Sequence, residues 1–429
     1  MGDRRDLRWD ITIYVVCAAF AIGTAIWSEF YGYRIWGNFA SVAYVFGAAH
    51  AVWLLISGSS SGGWLRSRWL PVGLVAGLGM IVPLGVLVVT RLSGVDWLIT
   101  PWSWSAQPEV WVIERSARLL LDTGTPYVDI AALAHPEVNN YTPYGPVMTV
   151  FGLPRALLGG PLTDARIMFA LVAVATIAVS LRLLHWPRVA VRAAHLAIVS
   201  PLTALTFAVA GPDLAIIGLL VLSGALAVRD RYALSAVMVA LVVSMKLTAL
   251  PAVVVIFCLV AARAGGAVVA RVLAVFLGVT ALLNIPVLIV QPGAFVEHVI
   301  KFPAGAGRVS SPAASPFPGH LIAQTGPAGH AIALVLAGIT ALALVVWLVR
   351  RPPVTGSAAM TKAGIVLAAA LLVVPASRYG YLVYPLVLWG AAMAFAVAER
   401  AASRPATACA VDHPTASGAG RGADVGEPR

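Results

Sequence analysis

The feature that most constrains this chain is a succession of apolar runs, most of them comparable in length to the thickness of a lipid hydrocarbon core. They lie at 11–30, 38–57, 70–90, 165–184, 193–209, 213–228, 232–245, 249–262, 268–290, 330–349, 363–376 and 381–398. A helix needs about 20 apolar residues to cross a bilayer, and it is one of two backbone shapes that satisfy their own hydrogen bonds there. Composition agrees: of 429 residues, 60% are hydrophobic and 11% charged, against about 25% charged in soluble domains. One soluble core cannot hide such an excess. The expected fold is an all-α polytopic membrane protein, a bundle of about 12 transmembrane helices. The runs at 232–245, 249–262 and 363–376 are short for a full crossing, which suits tilted, joined or re-entrant segments.

The net charge of +11 would suggest nucleic acid in a soluble protein. Here it reports topology. With the N-terminus cytoplasmic, the inner face collects 19 of the 29 basic residues and eight of the 18 acidic ones, so one side carries the whole excess. That is the positive-inside pattern of a plasma (inner) membrane protein with both termini cytoplasmic, and a nucleic-acid partner loses its support. The first apolar run reads as an anchor and not a cleaved signal. A membrane domain is expected over 1–398 and a disordered cytoplasmic tail over 399–429, where Ala, Gly, Pro, Ser and Thr show no apolar periodicity.

Two connections, 91–164 and 291–329, are far longer than the rest and fall on the outer side. Long loops held by rigid spans are where binding and catalysis concentrate, whereas a carrier would place ionisable groups at mid-span. Within the first loop, 108–122 reads as a helix begun by Pro108 and stopped by Gly124 and Pro126. Val110, Ile113, Ala117, Leu120 and Leu121 form its apolar stripe, so it should lie along the interface beside Trp97, Trp102, Trp104 and Trp111. Glu109 sits in its first turn, where the helix dipole favours a carboxylate. Glu114 and Arg118 have the spacing of a surface pair. The second loop is punctuated by Gly and Pro, which argues for a non-helical flap.

The residues 109 to 320 resemble a family. Glu109-Val-Trp-Val-Ile113, Gly124-Thr-Pro-Tyr127 and Asn140-Tyr-Thr-Pro-Tyr-Gly-Pro146 look like the first outer loop of the polyprenyl-phosphate-mannose-dependent alpha-1,2-mannosyltransferases, membrane enzymes of the GT-C fold. Gly211-Pro-Asp213, Met245-Lys246-Leu-Thr-Ala-Leu-Pro251 and Gln291-Pro-Gly-Ala-Phe295 extend the match. Glu109 stands at the family's Asp, Ile113 at its Tyr, and Pro212 where Asn is usual. The resemblance implies a glycosyltransferase with a polyprenyl-phosphate sugar donor, of mannose or another sugar such as arabinose, and a glycolipid or glycan acceptor at the outer surface.

In that reading Glu109 is the candidate general base and Asp96, at the outer end of the third span, the second choice. Lys246 interrupts an apolar stretch, where a lone cation is costly. It suits the donor phosphate, or it snorkels to the interface. Arg115, Arg118, Lys301 and Arg308 are further cations able to meet phosphate, or ordinary surface charges. His320 suits a phosphate or hydroxyl contact, or a structural one. Arg378 and Tyr381 fit a sugar subsite or an aromatic-belt anchor, and Tyr141 and Tyr144 can stack on a sugar or seat the loop. No cofactor or metal is expected: eight histidines show no ligand spacing, Cys17, Cys258 and Cys409 lie far apart, and no nucleotide fingerprint appears. A lipid-sugar flippase or transporter, and a family member that binds glycan without catalysis, are the rival readings.

Overall fold

A computed structural model describes residues 4–57, 63–91 and 105–403; Asp96 and the tryptophans at 97, 102 and 104 lie outside them. Every described element is helical. We number the principal helices α1 (Arg4–Trp27), α2 (Tyr31–Ser57), α3 (Trp69–Thr90), α4 (Pro108–Thr123), α5 (Pro146–Leu158), α6 (Ala165–Leu183), the bent α7 (Val191–Val199 with Pro201–Val209), α8 (Pro212–Val228), α9 (Tyr232–Met245), α10 (Leu247–Ala264), α11 (Gly266–Val290), α12 (Pro327–Arg350), α13 (Gly356–Val373) and α14 (Tyr379–Ala402).

Each apolar run falls on a helix, but the expected dozen crossings do not follow. Among the described residues nine helices are long and apolar enough to span a bilayer, ten if α7 with its 41° bend counts as one. α10 and α13 prove long enough, whereas α8 and α9 stay short. The reason is visible in α8, which buries fourteen of its seventeen residues. A helix wrapped by protein need not match the lipid thickness. By contrast, α11 and α12 turn Leu277, Leu282, Ile289, Ile339, Leu342 and Val349 outward, the surface expected against acyl chains.

The core has two parts. One gathers α1, α2, α3 and α7 around Tyr14, Trp36 and Tyr44; the other surrounds α8 with residues from α4 through α14. In the first, α3 and α7 each contain a wide π turn, at Gly77–Ile81 and His195–Val199. Each turn offers a carbonyl to a buried aromatic donor of α2: Trp36 Nε1 reaches Gly79 O at 2.9 Å and Tyr44 Oη reaches Val199 O at 2.8 Å. The irregular turns are thus satisfied by side chains, as such bulges must be inside an apolar core.

α4 begins at Pro108 and ends against the left-handed Gly124 as expected. It is not a one-sided surface helix, however. Val112, Glu114 and Ser116 are buried along with Val110, Ile113 and Ala117, because α5, a helix the sequence reading did not anticipate, packs against it. Glu114 consequently pairs with Arg91 at 2.7 Å and not with Arg118, which is exposed. α14 runs through Ala402, so 399–402 continue a helix rather than opening the tail; 404–429 lie outside the described residues.

Ion pairs segregate. Asp6 and Asp10 meet Arg68 and Arg192, and Asp230 meets Arg263, all residues assigned to the inner face. Glu114, Asp164, Glu109, Asp213 and Glu297 meet Arg91, Arg166, Arg378, Lys246 and Lys301, all assigned to the outer face. No pair between described residues joins the two sets.

Candidate functional site

The segment entering α4 is held from below by a buried network. Asp164, N-cap of α6, bonds Arg166 at 2.9 Å and Arg91, and Glu114 adds a second carboxylate on Arg91. Burial opposes ionisation of Asp164, but Arg166 and Arg91 together hold its carboxyl well below the ordinary range. Arg166, itself fully buried, donates to Ser105 O at 2.8 Å and Ala208 O at 3.1 Å, and Gln107 N–H donates to Val209 O at 2.9 Å. The chain just before Glu109 is therefore fastened to the end of α7, three residues before α8 begins.

This brings Glu109 and Asp213, each in the first turn of its helix, into one neighbourhood. Arg378, at the entrance to α14, donates through Nη1 to Glu109 Oε1. The carboxylate raises the guanidinium above its usual range. Glu109 Oε2 is buried and has no hydrogen-bond partner among the described residues, although the side chain as a whole keeps 21% exposure.

Lys246 ends α9 in an extended conformation and turns its ammonium onto Asp213 Oδ1 at 2.6 Å, where Tyr384 Oη also donates at 2.7 Å. The same ammonium lies 4.3 Å from the Tyr381 ring centre and 5.7 Å from that of Tyr144, so a cation among aromatic faces complements the ion pair. Lys246 neither snorkels nor stands alone: its anionic partner is internal. Tyr144, fully enclosed, has its phenol pushed far up by burial and by the nearby charges of Glu109 and Asp213. Gly145 lets this turn approach α9, donating its N–H to Met245 O at 2.9 Å; a Cβ there would sit 2.3 Å from Ser244 O.

The remaining candidates hold loops together. Arg115 donates to Asn139 O and Asn140 O at 2.7 and 2.9 Å and lies over Trp111, and burial pushes its guanidinium down to about 10. Tyr141 stacks on Phe302, ring centres 4.0 Å apart, and donates to Glu297 Oε1 at 2.9 Å. Glu297 is held below the ordinary carboxylate range despite its burial, because Arg308 N–H and Tyr141 donate to it. Lys301 and the Arg308 side chain are exposed. His320 bonds Pro375 O at 2.8 Å and Gln324 at 2.7 Å, fixing the second loop to the end of α13. Sequence reasoning did not single out Asp213 as the partner of Lys246, nor Tyr384 or His298. The last accepts from Thr142 N–H and bonds Val128 O, both at 2.8 Å. An acid opening an apolar helix after Gly-Pro was the one available signal.

A helical membrane bundle with two carboxylate–cation pairs gathered at the ends of α4, α8, α9 and α14 defines the class: a multi-pass membrane protein with a polar site where helices terminate. Residues 141–375 match the model of glycosyltransferase family 87, more than half of the chain, and the chain belongs to that family. Neither a curated protein nor a solved structure matches it. The matched region contains Tyr144, Asp213 and Lys246, while Glu109 and Arg378 flank it on either side.

Proposed function

We propose that this glycosyltransferase moves a sugar, mannose in the first instance, from a polyprenyl-phosphate donor to a glycolipid or glycan acceptor at the outer surface of the plasma membrane, with Glu109 as the general base. The observation that carries this is the division of labour within one carboxylate: Oε1 is anchored by Arg378, while Oε2 is buried with no partner among the described residues. A buried acceptor atom left unsatisfied is uncommon and costs free energy; an incoming hydroxyl satisfies it. The positive-inside pattern supports an outward-facing site, and family membership favours catalysis over the flippase reading.

In the proposed step the acceptor oxygen bonds to the anomeric carbon as the bond from that carbon to the donor phosphate oxygen breaks. The hydroxyl proton passes to Glu109 Oε2, and the phosphate departs on its lipid with the bonding electron pair. Positive charge develops on the sugar ring as in glycoside cleavage, and negative charge on the leaving phosphate calls for fixed cations. Arg378 and Lys246 are the nearest candidates. Both are already compensated, by Glu109 and Asp213, so the site is close to neutral before substrate arrives.

Purified protein given radiolabelled polyprenyl-phosphate-mannose and a panel of glycolipid acceptors provides the test. Glu109→Gln should lower kcat by about 10²–10⁴-fold, the usual worth of a general base, with donor binding retained. Full transfer by that variant, combined with loss in Asp96→Asn, would move the base to Asp96. Lys246→Ala should impair donor use more than acceptor use; equal effects would remove its phosphate role.

A further inference from the structure

The opposite ends of α6 and α8 border an open pocket of about 840 Å³ lined by the exposed residues Arg182, His185, Trp186, Arg229, Asp230 and Arg231. α8 has seventeen residues, so at 1.5 Å per residue the cavity lies about 25 Å from Asp213 along that helix. It is unrelated to the sugar-transfer site. We propose that it is a binding site for the phosphate of an anionic phospholipid, taken from the leaflet at that end of the protein.

Three observations converge. The first is charge. Asp230 is already engaged by Tyr232 Oη at 2.5 Å and by Arg263 at 3.3 Å. Arg182 and Arg231 have no carboxylate partner among the described residues, and Arg229 donates to His185 Nε2. Three arginines thus line a pocket with a single acid, which Tyr232 and Arg263 both meet at Oδ1, and guanidinium forks suit phosphate oxygens.

The second is backbone. His185, Trp186 and Asp230 have φ of 59°, 50° and 59°, and they are the non-glycine residues with positive φ among those described. All three line this cavity. His185 and Asp230 hold the left-handed position at which helices commonly end, and Trp186 carries the turn one residue further in a conformation unfavourable for a tryptophan. Trp186 N–H bonds Leu181 O at 2.8 Å and Arg231 N–H bonds Leu226 O at 2.9 Å, closing the ends of α6 and α8 in two rigid turns that lie side by side at the pocket. The third is depth. Arg182 is in the last turn of a candidate span and Trp186 is 62% exposed just beyond it, the level at which tryptophans meet headgroups. Topology alone requires positive charge in these loops; it does not require three arginines around one cavity. Basic pockets between helix ends at the membrane surface are where lipid phosphates bind.

The test uses the full chain in detergent, with native mass spectrometry of bound phosphatidylglycerol, phosphatidylcholine as the zwitterionic comparison, and inorganic phosphate as competitor. Phosphatidylglycerol should be retained over phosphatidylcholine, and each of Arg182→Gln, Arg229→Gln and Arg231→Gln should weaken it about fivefold, the effect of one basic residue near an anionic surface. Arg271→Gln, an exposed arginine outside the cavity, should change nothing. If inorganic phosphate displaces the lipid at equal concentration, the same arginines take phosphate from solution and the lipid source is overturned. Equal retention of both lipids, or equal loss in Arg271→Gln, overturns the site. Each single variant is checked for an unchanged melting temperature in phosphatidylcholine. If one fails that check, Arg→Lys at the same position replaces it, and undiminished lipid retention by a folded Lys variant removes the guanidinium from the proposal.

Discussion

Glu109 and Arg378 are 269 positions apart and meet through side chains alone. Because the arginine holds one oxygen, it fixes where the other points, and orientation of this kind is worth much of a reaction barrier. Arg378→Gln should therefore lower kcat for sugar transfer by at least about tenfold while Glu109 stays in place; a change confined to KM would assign Arg378 to donor binding instead. His298 supplies a pH-dependent contact. Burial depresses its imidazole from 6.5 to about 4, so the neutral ring belongs to the folded loops and accepts from Thr142 N–H. A depressed histidine contributes stability that is complete above 6.5 and is lost as pH falls toward 4. Hydrogen exchange of the Val296–Lys301 segment should accelerate across that window in the native chain. A rate independent of pH, after correction for intrinsic exchange, would show that His298 does not hold the loops.

At the scale of elements, helix positions were legible because apolar length and Pro or Gly punctuation are local properties. Pairings were not. Glu114 was read against Arg118, four residues away on the same helix, but a helix buried on a second face meets partners that no periodicity names, here Arg91 and the start of α6. Lys246 called for an anion, and Asp213 lay 33 positions back in another helix. The network around Asp164 ties these elements together. Asp164→Ala leaves fully buried Arg166 without its carboxylate, and removing one partner of a buried pair costs about 3–5 kcal/mol. Thermal or denaturant unfolding in detergent should register that loss. Tyr141→Phe keeps the stack on Phe302 and removes two hydrogen bonds, costing about 1 kcal/mol. It should raise protease sensitivity of the second loop with little effect on global unfolding.

Across the whole molecule, the sorting of ion pairs into two sets mirrors the division of basic residues that the sequence suggested, since charges from different ends of spanning helices cannot reach one another. The direction in which those ends face is a separate question, answered by thiol labelling. A cysteine placed at exposed Arg308 should react with an impermeant reagent in intact cells, and one at exposed Arg400 should react only after permeabilisation. The reverse result would invert the topology and place sugar transfer on the other side.

One arrangement described above bears on how the protein comes into being. Arg378, Tyr381 and Tyr384 belong to α14 and its entrance, the last helix among the described residues, yet they complete contacts begun by Glu109, Asp213 and Lys246 more than a hundred residues earlier. A chain still emerging from the ribosome, with α14 not yet inserted, has an unheld carboxylate at one position and a pair lacking its tyrosine donor at the other. The polar centre is complete only once α14 is in place, so a polypeptide cut short of that helix is expected to sit in the membrane chemically silent.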